Sequence, residues 1–78
     1  MATDARAWLL NYRQRNHRQM TAAQIRIVST AARQCGSMTL DQFADAMHST
    51  LAAGEWSPKP IYMIGGKSAA YLLGIMRR

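Results

Sequence analysis

The chain has 78 residues, 49% of them hydrophobic and 18% charged, with a formal net charge of +6. That balance excludes a disordered chain and fits one small domain, 1–78, with a marginal core, since a chain this short buries only about 60% of its unfolded surface. A lone cysteine, Cys35, excludes an internal disulfide and fits a reducing compartment, and no apolar run approaches the ~18 residues of a membrane span. The opening stretch MATDARAWLLNYRQR carries an early acid and several arginines and lacks the apolar segment of a secretory signal. The expected location is therefore cytoplasmic.

The cations are eight Arg and two Lys. Arginine offers a planar fork that suits phosphate or guanine, and a charge this large on so small a chain points to a polyanionic partner: nucleic acid or an acidic protein surface. The distribution is uneven. Residues 1–33 hold six arginines against Asp4; residues 34–58 hold Asp41, Asp45 and Glu55 with no Lys or Arg; residues 59–78 hold Lys59, Lys67, Arg77 and Arg78 with no acid. The middle segment is thus not expected to be the anion-binding surface.

In chain order, the first helix is predicted from an N-cap at Thr3, with Asp4 favourable in its first turn, to about Asn16. Ala5, Trp8, Leu9 and Tyr12 fall on one apolar face, and Arg6 and Arg13 lie one heptad apart on another. The stretch RQRNHRQ, 13–19, is polar and basic, and adds Arg15 and Arg18.

Two later stretches repeat a pattern: MTAAQI at 20–25 and MTLDQF at 38–43. In each, Thr caps a helix, Gln three residues on reaches back, and the preceding Met can pack on Ile25 or Phe43 as a hydrophobic staple. The second helix is predicted over 22–35, with Ile25, Val28, Ala32 and Cys35 inward, Arg26 and Arg33 outward, and Gly36 as its stop. The third is predicted over 40–53, with Leu40, Phe43, Ala44, Met47 and Leu51 inward and Asp41, Asp45 and His48 as an outward stripe.

GEWSPKP, 54–60, reads as a turn or extended connection, because its two prolines forbid helix. IYMI, 61–64, is the one candidate strand, and Ser68 can cap a last helix over 69–76 with Tyr71, Leu72, Ile75 and Met76 inward. The expected fold is mainly α: a compact bundle of three to four helices, with a helix-turn-helix-like pair at helices two and three and one short β segment near 61–64.

GGKS, 65–68, ends like a phosphate-binding loop. The first glycine of that motif would sit at position 61, which is Ile61, and no second strand supplies an acid for magnesium, so a nucleotide enzyme is not expected. A smaller role remains open: Lys67 and Ser68 at a helix N-terminus can hold one phosphate. The simpler reading of the stretch is a turn and a cap.

The helix-turn-helix rhythm has an electrostatic difficulty. Were helix three to enter a major groove, Asp41 and Asp45 would meet phosphate. Helix three is then the support, and contact falls to Arg6, Arg13, Arg15, Arg18, Arg26 and Arg33, with Lys59, Lys67 and Ser68 as further nucleic-acid-binding candidates. Asp41, Asp45 and His48 at helical spacing read as a solvated face rather than a metal site, which wants four ligands, mostly Cys or His. No nucleophile has a matching base, so neither catalytic residues nor a cofactor are implied. Trp56, beside Pro58, and Tyr62 are the candidate partner-binding residues. Leu10, Ile27 and Leu73 fall off the apolar faces and suggest a homodimer or partner interface.

Two functions follow. The first is a small basic DNA-binding transcriptional regulator using its Arg faces. The second is a small inhibitor or adaptor, in the style of an antirepressor or anti-CRISPR, that binds a host protein. In size and Arg-rich balance the chain resembles the small regulatory and host-takeover proteins of phages, a likeness of composition carried by no motif.

Overall fold

The computed structural model describes residues 3–53 and 66–77. Among them the chain forms α1 (Ala5–Asn16), α2 (Ala22–Gln34), α3 (Leu40–Ala53) and α4 (Gly66–Met76), with a 3-10 turn at His17–Gln19 between α1 and α2. The expected helical class holds. The β segment at 61–64 and the connection at 54–60 lie outside the described residues. No strand forms among those that are described; the β-type pairing there is an isolated antiparallel bridge between Asp4 and Thr39.

That bridge corrects the start of the first helix. Ala5 N–H donates to the Met38 carbonyl (3.1 Å) and Leu40 N–H to the Thr3 carbonyl (2.7 Å). The chain is extended at Asp4, so the helix begins only beyond it. Asp4, not Thr3, is the N-cap, and its carboxylate accepts from Arg6 N–H at 3.2 Å. An anion at this position also meets the positive end of the helix dipole.

Both capping boxes form as the repeated pattern predicts. Thr21 Oγ1 accepts from Gln24 N–H (3.1 Å) while Gln24 Oε1 accepts from Thr21 N–H (3.0 Å). Thr39 and Gln42 repeat the exchange at 3.1 and 3.0 Å. Met20 and Met38 pack on the core, where Phe43 is fully buried; Ile25 is only half-buried. Past α2, Gly36 takes a φ of +60°, the left-handed turn that glycine adopts without a Cβ penalty.

Helix α4 begins at Gly66, earlier than the predicted 69, so Ser68 lies in its first turn and is not the cap. Each residue added at a helix start contributes a further backbone bond, and glycine costs little there. Ala69, Leu72 and Ile75 then face inward.

The helices alternate in direction. The short turn between α1 and α2 makes them antiparallel neighbours. The bridge sets the start of α3 beside the start of α1. Met76 and Arg77 share a cleft with Leu40 and Asp41, so α4 ends where α3 begins. α1 packs chiefly on α2, and α3 on α4, while α2 and α3 touch little. Leu9, Val28, Phe43, Met47 and Leu72 fill the centre, and Ala31, Ala46 and Ala69 let backbones approach. Thr50 is buried there too, its hydroxyl donating to the Ala46 carbonyl at 3.0 Å. Ile27, expected as a stray surface residue, instead packs on this core. Leu10 is exposed as expected.

Candidate nucleic-acid interface

Arg6, Arg15, Arg18, Arg26 and Arg33 are exposed. Arg13 is different. It is half-buried, and its Nη1 donates to Ser29 Oγ on α2 at 2.9 Å. This bond joins the two helices and fixes how their basic stripes lie together.

On α1, Arg6 and Arg13 are one heptad apart and so share a face about 10 Å long at 1.5 Å per residue. On α2, Arg26 and Arg33 repeat that spacing, with Ser29 and Thr30 on the same stripe. Arg33 Nη2 reaches Thr30 Oγ1 at 3.4 Å. Arg6 lies close enough to Cys35 to act on its thiol, which sets it near the Arg33 end of α2. Arg13, through Ser29, lies toward Arg26. The Arg13 guanidinium therefore sits against Ser29, between Arg26 and Arg33 on the α2 stripe, which is about 10 Å long. Sequence reading placed these arginines on helix faces but missed Ser29. Its signal was present: position 29 falls between Arg26 and Arg33 on the helical repeat.

Of the described acids, Asp4 borders the arginine face at its Arg6 end, where its carboxylate accepts from Arg6 N–H at 3.2 Å and acts with Arg6 on Cys35; Asp41 and Asp45 lie on α3. Asp4 and Asp41 sit in the first turns of α1 and α3, at the end of the molecule where those helices start. Asp45 follows one turn later and shares a cleft of about 560 Å³ with Asp41 and Arg77. His48 continues the exposed stripe. Among the described residues no group of three or more His, Cys, Asp or Glu is placed to hold a metal. The opposite end, where α1 stops and α2 and α4 begin, carries Arg15, His17, Arg18 and the exposed Lys67. A groove of about 690 Å³ runs along α1 toward this end, from Ala7 to Arg18. Ser68 is half-buried behind Lys67. Lys59, Trp56 and Tyr62 lie outside the described residues.

Cys35 is buried, and its Sγ lies 3.4 Å from the Ala32 carbonyl. Burial pushes its thiol above the ordinary value, Asp4 adds to the rise, and Arg6 and a backbone hydrogen bond oppose it. A protonated, enclosed thiol is a packing group and a poor nucleophile.

No described helix is long and apolar enough to cross a membrane. Comparison with known protein families, with curated proteins and with solved structures finds no match.

Proposed function

We propose that this chain is a small DNA-binding regulator, working in the cytoplasm, that grips the duplex backbone through the arginine face of α1 and α2. The observation that carries this reading is the Arg13–Ser29 bond, which ties the Arg6–Arg13 stripe of α1 to the Arg26–Arg33 stripe of α2. Arginine at that density is suited to phosphate by charge and by geometry. In this reading α3 is the support: its exposed Asp41 and Asp45 would be repelled by phosphate. The helix-turn-helix rhythm of the sequence then serves to position α2 rather than to present α3 as a reading helix.

The test is fluorescence anisotropy with random-sequence duplex DNA across a salt series. Four arginines of this face at one phosphate each give a log–log salt slope of about −3.6, or roughly a 150-fold loss of affinity between about 50 and 200 mM salt. The Arg26→Ala/Arg33→Ala variant should weaken binding and bring the slope to about −1.8. Absence of duplex binding at 50 mM salt would overturn the proposal. A tight stoichiometric complex with an acidic protein would then move the arginine face to the inhibitor or adaptor reading.

A further inference from the structure

At the end of the molecule where α1 stops and α2 and α4 start lies a pocket of about 180 Å³, lined among the described residues by Tyr12, Asn16, Gln19, Met20, Gln24 and Tyr71. Its size limits the occupant. It is several times the ~30 Å³ of a water and well below the ~300–1,000 Å³ of sites for drug-sized molecules, so it suits a single flat ring system. The lining limits the chemistry as well. Among the described lining residues there is no carboxylate to favour a cation and no Arg or Lys to favour a free phosphate.

What the lining does offer is aromatic surface and amide hydrogen bonding. Trp8 stacks on Tyr12 with ring centroids 5.6 Å apart at 14°, which braces the Tyr12 ring. Met20 adds a polarizable thioether. Asn16 Nδ2 is committed to the Tyr12 carbonyl at 2.9 Å, which leaves Asn16 Oδ1 as an acceptor. Gln24 Oε1 is committed to Thr21 N–H, which leaves Gln24 Nε2 as a donor. Gln19, on the exposed 3-10 turn, can supply either. A donor and an acceptor presented together by Asn or Gln match the edge of a nucleobase.

Outside the pocket the field is positive. Arg15 and Arg18 flank Asn16 and Gln19 in the chain, and Lys67 opens α4 one helical turn before Tyr71. The described acids start at the far end. A neutral ring carried on an anionic backbone satisfies both the pocket and its rim.

We infer that this pocket takes one unpaired nucleobase of a DNA strand, with the flanking phosphates held by Arg15, Arg18 and Lys67. The inference rests on the DNA-binding reading and deepens it: the protein prefers a duplex with a bulged or extruded base over a fully paired one.

The experiment compares two duplexes of equal length, one fully paired and one carrying a single bulged 2-aminopurine. Stacking of one base on protein rings should give the bulged duplex about 10-fold tighter binding, with a change in 2-aminopurine fluorescence on saturation. Gln19→Ala alters an exposed residue outside the core, and should reduce that preference while leaving the affinity for paired duplex unchanged. Tyr71→Ala should remove the preference more fully, with circular dichroism reporting whether the fold survives. Equal affinities with unchanged fluorescence would overturn the pocket assignment and leave the arginine face standing. No binding of either duplex at 50 mM salt would overturn both.

Discussion

Removing the Arg13–Ser29 bond tests whether the two arginine stripes are held in register. Arg13→Met keeps the length of the side-chain stem and deletes the donor; Ser29→Ala deletes the acceptor. A hydrogen bond to a charged group contributes about 1.5–3 kcal/mol when well enclosed. Arg13 is only half-buried, so water competes for the guanidinium and the coupling should fall near ~1 kcal/mol. In a domain this small that corresponds to roughly 4–8 °C in melting temperature. The assay is thermal and guanidinium unfolding of both single variants and the double variant, followed by far-ultraviolet circular dichroism. The double variant should then lose about 1 kcal/mol less than the sum of the singles. Additivity within about 0.3 kcal/mol would refute the reasoning, because independent sites behave that way.

Thr39→Ala should cost about 1 kcal/mol by removing the capping box of α3, while Thr39→Ser should retain most of it; chemical denaturation compares the two. Phe43→Ala empties the largest fully buried side chain among the described residues. The loss of about 3–5 kcal/mol is set against a total near 4–12 kcal/mol for a chain this long, so calorimetry should find the variant partly or wholly unfolded at 37 °C. Cys35 should react with a thiol reagent near neutral pH only on unfolding, seen as a slow rate that guanidinium accelerates. Its raised thiol also gives stability a sign. The folded state holds the proton more tightly, so stability is full below the ordinary thiol range and falls as pH rises through it. A Cys35→Ala variant should lack that alkaline decline.

Local chemistry was the legible part of the sequence. Met-Thr-x-x-Gln places both helix starts, because a capping box needs only neighbours along the chain. Gly36 places a stop for the same reason. The Thr3 cap was misread because what decides it is non-local: Leu40 N–H takes the Thr3 carbonyl. Ile27 was misread as surface because it falls off the Ile25–Val28–Ala32 face by period, yet it packs on the core. The arginines could be assigned to faces by period, but which stripe meets which depends on the turn at 17–19 and on Ser29. The amide-lined pocket has no signature in sequence at all. Asn16, Gln19 and Gln24 look like ordinary solvated residues until α4 brings Tyr71 to them.

The Asp4–Thr39 bridge has a consequence for how the molecule is handled and made. Two backbone bonds clasp Thr3 and Ala5 to a point some 35 positions later, so α1 cannot be latched during synthesis until residue 40 has emerged. Trimming the chain past Thr3 would strip Leu40 N–H of its acceptor. Ser49, exposed on α3 nine residues past Leu40, is a surface position for a fluorophore that leaves the clasp intact.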